Sequence, residues 1–368
     1  MIVLLLKFLS QTAHLKVPAA FYYSSTRMIL AAITALLFTI IFGPRFIKKL
    51  YELKTGQSIR VEDCPVLAEL HQKKKETPTM GGILILSSLI VSLFLWMDLT
   101  SVFTWTLLLT TVWLGLVGGA DDYLKLKYKN SKGLSGKKKL LFQILLGALI
   151  AYMMLWSGIR DFYAEQYYIP FWKEPIFIPG ILGFLITIFV ITGSSNAVNL
   201  TDGLDGLAAG CLVMVSLVLG AVAFLSNHIE MARYLNILYI EGSGEIAIYM
   251  LAMVGACLGF LWFNGYPAQV FMGDVGSLAL GGIVGVTSVL LRREVLFAIA
   301  GGIFVAEAVS VILQVLSYKY RNRKRVFLCA PLHHHFEYKG WAETKVDLRF
   351  WIVGLLLAFI ALSSLKLQ

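Results

Sequence analysis

Three adjacent histidines, His333–His335, stand in a polar segment near the end of a chain that is otherwise strongly apolar, and they are half of its six histidines. Carboxylates are concentrated in three other polar segments, Asp121-Asp122, Asp202–Gly206 and Gly273-Asp274. Carboxylate oxygens are the ligands that Mg²⁺ prefers, and imidazoles that are partly protonated near neutral pH suit phosphate. The residue types therefore predict phosphate and metal chemistry.

The pair Asp121-Asp122 follows a glycine-rich apolar stretch. If a helix continues past the pair, Lys125 lies four residues after Asp121 and three after Asp122, so the three side chains share one helical face. Adjacent carboxylates repel each other unless a cation lies between them. The pair predicts a Mg²⁺ site or a general base, and the alternative is an ordinary helix end with interfacial charges.

Two further segments combine glycine with carboxylates. Asn199–Gly206 is predicted to be a loop that enters a helix at Leu207, where backbone amides can bind phosphate or ribose oxygens. It lacks the ligand spacing of an EF-hand, which excludes that kind of calcium site, and capping aspartates in a polar turn are the alternative. In Asn264–Ser277, Asp274 stands just before another helix, either as a capping residue or as a third carboxylate for a metal.

The histidine segment also contains Cys329, so zinc is an alternative ligand. A zinc site needs about four well-spaced ligands, and three adjacent histidines do not easily turn inward together. Phosphate binding suits partly protonated imidazoles better. Glu307 and Gln314, seven residues apart in an apolar stretch, share a helical face and are predicted to line the same cavity, because a charge within a membrane span usually faces protein or water.

The elements that position these groups must be membrane helices. The chain has 368 residues, of which 58% are hydrophobic and 15% charged, and its mean hydropathy is +0.75. This composition predicts an all-α integral membrane protein with a single polytopic domain over residues 1–368. We find no cleavable secretory signal, and we expect the four separated cysteines to be free thiols.

Ten apolar windows of about 20 residues predict ten transmembrane helices. They lie near residues 26–44, 80–97, 101–120, 140–157, 176–195, 207–226, 246–263, 276–291, 295–316 and 348–366. The charged triplet Arg292-Arg293-Glu294 predicts a turn between the eighth window and the ninth.

Lysine and arginine are divided unequally between the two sets of connecting segments. One set carries 22 of the 32 and comprises residues 45–79, 121–139, 196–206, 264–275 and 317–347. The opposite side carries nine, and Arg349, at the edge of the last window, completes the 32. By the positive-inside rule this set is cytoplasmic and both termini are periplasmic. The imbalance explains the net charge of +10 without nucleic acid, and the runs Lys73–Lys75 and Lys137–Lys139 are expected to attract anionic lipid headgroups. All the acidic and histidine clusters fall in this set, which predicts an active site on the cytoplasmic face.

These motifs resemble those of the polyprenyl-phosphate N-acetylhexosamine-1-phosphate transferases, over nearly the whole chain and including the ten-span layout. Asp121-Asp122, the segment Asn199–Asp205 and Asp274 match the wider family. The stretches Pro331–Glu337 and Thr77–Gly82 resemble its phospho-N-acetylmuramoyl-pentapeptide branch specifically, without a departure at any motif position.

The resemblance implies that phospho-N-acetylmuramoyl-pentapeptide passes from its UDP carrier to undecaprenyl phosphate, with release of UMP and formation of lipid I for peptidoglycan. It also implies Mg²⁺ dependence, a place in the bacterial inner membrane and a homodimer. One rival is a related polyprenyl-phosphate N-acetylglucosamine-1-phosphate transferase, against which the histidine stretch argues. A transporter, the second rival, would place its ionisable groups near the membrane midplane.

Site residues follow from the same resemblance. Asp274 resembles the principal Mg²⁺ ligand, His333 an essential polar residue near the pyrophosphate, and Asp121, with Asp122 beside it, the group that meets the lipid phosphate. That phosphate is largely dianionic at pH 7, so the reaction does not clearly need a strong base. Three roles therefore stay open for Asp121: a base, a positioning group or a covalent nucleophile. The implied uridine pocket comprises Lys74, Asp205, Asn264 and Phe271, with Phe271 stacking on the uracil. The implied phosphate and sugar region comprises Lys125, Asn199, Asp202 and His334.

Overall fold

The computed structural model describes residues 19–53, 77–128, 133–156 and 165–367, which form an almost entirely helical bundle. After a 3₁₀ turn at Ala19–Tyr22, the α-helices of these ranges are α1 Ser24–Glu52, α2 Gly82–Trp96, α3 Val102–Tyr128, α4 Gly136–Trp156, α5 Gly180–Thr201, α6 Leu207–Ser226, α7 Ile229–Leu235, α8 Gly244–Asn264, α9 Gly273–Leu290, α10 Glu294–Ala300, α11 Gly302–Tyr320, α12 Leu332–Tyr338 and α13 Glu343–Ser363. Strands β1 (Gln166–Tyr167) and β2 (Ile176–Phe177) pair antiparallel, with Gln166 opposite Phe177.

Eight of these helices are long and apolar enough to cross a membrane, namely α1, α3, α5, α6, α8, α9, α11 and α13. Helix α2 is also apolar but has only 15 residues. The prediction of an all-α, multi-pass membrane protein is confirmed at this level. Each apolar window of the sequence overlaps a helix, but the window at 176–195 begins in strand β2, and α5 starts only at Gly180.

The window at 295–316 was wrong as a single helix. Gly301 leaves the helical conformation, with φ −90° and ψ 22°, and divides the window into α10 and α11. The Gly301-Gly302 pair explains the break, because glycine is the least favourable helix residue after proline. The turn predicted at Arg292 is present, between α9 and α10.

Helix α9 lies at the centre of the bundle, nearly all of it buried, and packs against α3 and α5. Gly118 of α3 permits the close approach, because a β-carbon at that position would lie 2.2 Å from the backbone oxygen of Asp274. Small residues let membrane helices approach at backbone distance in this way. The contact brings the end of α3 against the start of α9, and with it the acidic pair against Asp274.

The remaining helices surround this centre. Helix α8 packs on α1 and α6, α4 packs on α5, and α13 packs on α6 and α10. Two predicted loops are partly helical: Asn199 lies within α5, which continues to Thr201, and the three histidines lie in the short helix α12. Cys211 and Cys257 are free thiols, as predicted. Cys329 also keeps its thiol, which donates to the carbonyl of Ala330 at 3.8 Å, and Cys64 lies outside the described residues.

Candidate active site

A cluster of three carboxylates forms where α3 meets α9. Asp121 and Asp122 lie near the C-terminal end of α3, Asp274 lies in the first turn of α9, and one oxygen from each lies within 4.8 Å of the others. The backbone N–H of Leu134 donates to Asp121 Oδ1 at 2.6 Å, and that of Val275 donates to Asp122 Oδ2 at 3.1 Å. Both aspartates are buried. The arrangement concentrates negative charge at one end of the bundle.

Two lysines compensate most of this charge. Lys125 Nζ lies 2.6 Å from Asp121 Oδ2, 3.1 Å from Asp274 Oδ2 and 3.5 Å from Asp122 Oδ1. The predicted span ended at residue 120, but α3 continues past the acidic pair to Tyr128. On that condition the helical spacing predicted Lys125 on the face of the pair, and its contacts confirm this. Lys139 Nζ lies 2.7 Å from Asp274 Oδ2 and 3.1 Å from Asp121 Oδ1. Three carboxylates and two ammonium groups leave a small negative excess.

Sequence reasoning missed Lys139. It was one of three consecutive lysines interpreted as a membrane-surface anchor, and nothing in the run distinguishes it. The α4 helix makes the distinction, because it leaves Lys137 and Lys138 exposed and turns Lys139 towards the carboxylates. Only the direction of the helix axis, which depends on packing against α5, would have identified it.

Asn199 holds Asp274 from the side of α5. Its Nδ2 donates to Asp274 Oδ1 at 3.0 Å and to Ser277 Oγ at 2.8 Å. Asp202 follows the end of the same helix and lies close enough to interact electrostatically with Asp274 and Asp122. Burial, and then the negative charge of Asp274, raise the pKa of Asp202 to about 8, so its carboxyl is largely protonated at neutral pH.

Asp205 and Asn264 hold the segment between α8 and α9. Asp205 Oδ2 accepts the backbone N–H of Ala268 at 3.0 Å. Asn264 accepts from the N–H of Gly206 at 3.0 Å and donates to the carbonyl of Val270 at 2.9 Å. These bonds shape the loop, and a uridine-binding role for either residue stays a prediction.

Phe271, the predicted uracil-stacking residue, is half-buried on the same loop. Its backbone N–H donates to the carbonyl of Pro78 at 2.8 Å, and its carbonyl accepts from Gly81 at 2.8 Å. The loop is thus joined to the Thr77–Gly82 stretch, which follows Lys74 along the chain. Lys74 itself lies outside the described residues.

The histidine helix is anchored by Glu307 of α11. Glu307 accepts the backbone N–H groups of Leu332 at 2.6 Å and His333 at 3.1 Å, and its Oε1 lies 3.2 Å from His333 Nδ1. His333 is completely buried. His334 is half-buried, and its Nδ1 lies 2.6 Å from Glu337 Oε2.

Gln314, predicted to share a cavity with Glu307, has a related role instead. Its Oε1 accepts the N–H groups of Val326 and Phe327, each at 3.0 Å, and its Nε2 donates to the carbonyl of Phe327 at 3.0 Å. One face of α11 therefore fixes the whole segment that leads to the histidines. Among the described residues, the group of three metal-type ligands is the aspartate cluster, so a zinc site around Cys329 is not formed there.

Gly203 joins the histidine helix to the acidic site. A β-carbon at Gly203 would lie 2.3 Å from His333 Nε2, and His333 cannot retreat because Glu307 holds it on its other side. We expect Gly203→Ala to lower turnover at least about tenfold, since displacement of a positioned polar group by a fraction of an ångström is costly in catalysis. The measurement is product release at saturating substrate.

Gly193→Ala is the matched control for that change. A β-carbon at Gly193, within α5, meets nothing within 4 Å. Alanine there improves helix propensity, so we expect turnover within about twofold of wild type. Equal activity of the two variants would show that the position of His333 against Gly203 is unimportant for catalysis.

Comparison with known proteins gives a consistent result. The model of the family described as glycosyl transferase family 4 matches residues 104–292, and the phospho-N-acetylmuramoyl-pentapeptide-transferase signature 1 matches residues 74–86. The phospho-N-acetylmuramoyl-pentapeptide-transferase of Protochlamydia amoebophila is 60% identical with all of both chains covered. The proteins of that name from Thermodesulfovibrio yellowstonii and Desulfotalea psychrophila are 49% and 50% identical, with 95% of each chain covered.

Proposed function

The chain belongs to the phospho-N-acetylmuramoyl-pentapeptide-transferase family, and from that membership we propose how the aspartate–lysine cluster carries out the reaction. The enzyme is a transferase of peptidoglycan synthesis. It moves phospho-N-acetylmuramoyl-pentapeptide from UDP to undecaprenyl phosphate, which yields lipid I and UMP. The observation that carries the proposal is the convergence of Asp121, Asp122 and Asp274 with Lys125 and Lys139.

The reaction forms one bond and breaks one. An oxygen of the lipid phosphate attacks the phosphorus that bears the sugar, and the bridging oxygen of the pyrophosphate leaves with UMP. Phosphoryl transfer of this kind depends mainly on positioning and on neutralising the charge of the transferred and leaving groups. The acceptor phosphate is largely dianionic at pH 7, so the step does not depend on a strong base.

We assign Asp121 as a positioning group. Its Oδ2 is paired with Lys125, and its Oδ1 is paired with Lys139 and the N–H of Leu134. A fully buried carboxylate with both oxygens engaged is poorly placed to attack phosphorus. In this proposal Asp121 holds the two lysines, and the lysines orient the phosphate oxygens.

The cluster also fits the Mg²⁺ that the family uses. Each of the three aspartates offers a carboxylate oxygen within 4.8 Å of the others, and oxygen donors of this type suit Mg²⁺. When bound, the ion would be held by Asp274 as the principal ligand, at the edge of this cluster, and would supply positive charge to the pyrophosphate. Asn199 Nδ2 donates to Asp274 Oδ1 at 3.0 Å and so restrains the orientation of that carboxylate.

The remaining assignments are part of the same proposal. Lys74, Asp205, Asn264 and Phe271 bind the uridine; Asn199, Asp202, Lys125 and His334 line the phosphate and sugar region; and His333 lies near the pyrophosphate. The site faces the cytoplasm in a ten-span protein of the bacterial inner membrane with periplasmic termini, and the protein is a homodimer. Support comes from the lysine and arginine distribution and from the family of the chain.

A direct test is UMP release by the purified protein in detergent, from UDP-N-acetylmuramoyl-pentapeptide with and without undecaprenyl phosphate. We expect release that requires the lipid. UDP-N-acetylglucosamine in place of the muramoyl nucleotide is expected to give little product. Equal or greater release from UDP-N-acetylglucosamine would instead assign the enzyme to the related N-acetylglucosamine-1-phosphate transferases.

Removal of divalent cations tests the metal assignment. We expect EDTA to lower UMP release by about 10²-fold or more, because charge stabilisation by a metal contributes several kcal/mol to such reactions, and excess Mg²⁺ to restore it. The thermal unfolding midpoint, measured in parallel, shows whether the loss is catalytic. Full activity in EDTA, with the protein folded, would remove Mg²⁺ from the proposal.

A further inference from the structure

A second cluster of buried charges lies at the opposite end of α9. The helix has 18 residues, so its two ends are about 27 Å apart. At the end remote from the aspartates stand Arg292, Arg293 and Glu294, all buried. A segment that contains β1 and β2, residues 165–177 and here called the strap, covers them with Tyr167 and Tyr168.

Arg293 is the unusual member of this cluster. Its side chain is 1% exposed, and its guanidinium carbon lies 4.6 Å from the centre of the Tyr168 ring. Its NH1 and NH2 atoms are both buried and have no hydrogen-bond partner in the part of the chain that the structure describes. Burial lowers the pKa of Arg293 to about 10, so the group is still charged at neutral pH.

Glu294 compensates this charge only in part, through its electrostatic interaction with Arg293 and without a close ion pair. Its nearest basic group is NH1 of Arg292, at 3.7 Å, and its Oε1 has no hydrogen-bond partner among the described residues. Burial raises the pKa of Glu294 to about 7, so near neutral pH the carboxyl is only partly ionised. Arg292 is also occupied elsewhere, because its NH1 donates to Tyr167 Oη at 3.5 Å. The cluster therefore keeps a positive excess and unused N–H donors in a buried place.

A buried guanidinium with two unused nitrogens is costly, since the Tyr168 ring and Glu294 repay only part of the desolvation and no hydrogen bond repays the rest. The planar fork of arginine matches the oxygens of a phosphate in a bidentate contact. We propose that Arg293, with Arg292 beside it, forms a phosphate-binding site beneath the strap, and that its ligand is the headgroup phosphate of an anionic phospholipid.

The strap identifies a lipid as the source of the phosphate. Its large side chains Phe171, Trp172 and Phe177 are exposed, and aromatic residues in such a place are typical of the headgroup level of a bilayer. The strap is also a weak cover, because β1 and β2 join through only two residue pairs, and an isolated two-stranded sheet is marginally stable. A headgroup at this level reaches the guanidinium when the strap moves.

The test uses the full-length protein, stripped of lipid in a neutral detergent, with the thermal unfolding midpoint as the readout. Phosphatidylglycerol in mixed micelles is expected to raise the midpoint of wild type saturably. Arg293→Gln should weaken the apparent affinity about tenfold or more, since the bidentate contact is lost. Arg233→Gln, which removes the same charge from the exposed helix α7 at the same end of the bundle, should respond as wild type does. Equal responses of the Arg293 variant and wild type would overturn the proposal.

Two further arms identify the ligand and exclude a purely structural role. Inorganic phosphate should give no saturable rise; an Arg293-dependent rise with phosphate would overturn the lipid assignment in favour of a free anion. Arg293→Met keeps an apolar stem without the unpaired charge, so without lipid its midpoint should equal or exceed that of wild type, and lipid should not raise it. A lower midpoint for Arg293→Met, together with no lipid response in wild type, would make Arg293 a structural residue and overturn the site.

Discussion

UMP release is expected to fall at least about 10³-fold when Asp274 is replaced by asparagine, because this carboxylate is the point on which the charges of the site converge. Its Oδ2 is paired with both Lys139, at 2.7 Å, and Lys125, at 3.1 Å, and its Oδ1 accepts from Asn199 at 3.0 Å. Asparagine keeps the shape but removes the charge that pairs with the two lysines and that, in the proposed function, binds the metal ion. The measurement is UMP release at saturating Mg²⁺ and both substrates.

Asp98→Asn is the matched control for this change. Asp98 lies between α2 and α3, at the opposite end of the bundle, where its Oδ1 accepts from the N–H and hydroxyl of Thr100 at 3.0 and 2.8 Å. Asparagine substitutes well for aspartate in such a turn, so activity should stay within about twofold of wild type. If Asp274→Asn were folded and as active as Asp98→Asn, Asp274 would not be a metal ligand.

The Mg²⁺ dependence of the Asp274→Asn variant separates a role of Asp274 in metal binding from a role in orienting the lysines. If the carboxylate binds the ion, the concentration of Mg²⁺ that gives half-maximal activity should rise in any residual activity of the variant. If it only orients Lys125 and Lys139, that concentration should stay as in wild type while the maximal rate falls.

Much of the helical layout could be predicted from the sequence, because apolar windows of bilayer length have few other solutions. The extension of α3 past the acidic pair was only a condition of the sequence argument, since the apolar window ended at residue 120; given that extension, Lys125 lies where helical spacing put it. Hydropathy did not predict that the ninth window is divided into α10 and α11. The mean hydropathy of an apolar stretch is nearly the same whether or not a glycine pair interrupts its helix. Gly301 and Gly302 were visible, but only as a weak signal of a break.

The candidate site was predictable as a set of residues and less so as a set of contacts. Convergence of the acidic segments followed from topology, because alternate connections of a membrane bundle lie on the same side. The roles of Asn264 and Glu307 in holding backbone segments did not, since these bonds join residues far apart in the chain. Such contacts depend on the packing of α8 against α1 and of α11 against its neighbours, which no local pattern encodes.

The charge cluster beneath the strap is a second feature that the sequence alone did not predict. The triplet Arg292-Arg293-Glu294 was interpreted correctly as a turn, and as nothing more. The triplet is buried under Tyr167 and Tyr168 only because the strap folds over the end of α9. The two segments are far apart in the chain, since Tyr167 and Arg292 are separated by 125 residues. Polar residues between two apolar windows are ordinarily solvated, so only the structure distinguishes a buried pair of arginines from an exposed turn.

Lys139 gives the second large effect that we expect. Lys139→Gln removes one of the two cations that pair with Asp274 and Asp121, so the negative excess of the cluster grows at the place where the proposed function puts the anionic pyrophosphate. We expect turnover to fall about 10²-fold, as is usual when one charged donor is removed from a site of phosphoryl transfer. The loss should appear both in kcat and in the KM for the nucleotide substrate, measured by UMP release.

Lys138→Gln provides a control that differs by one residue. It lies on the same turn of α4 and loses the same charge, but its side chain is exposed rather than turned towards the carboxylates. In neutral detergent, where there is no anionic lipid for a basic run to attract, we expect Lys138→Gln to match wild type within about twofold. If both variants lost activity equally, the run Lys137–Lys139 would act as a general basic surface. A loss confined to Lys139→Gln would instead place this lysine in the catalytic machinery, because position on the helix is the only difference between the two changes.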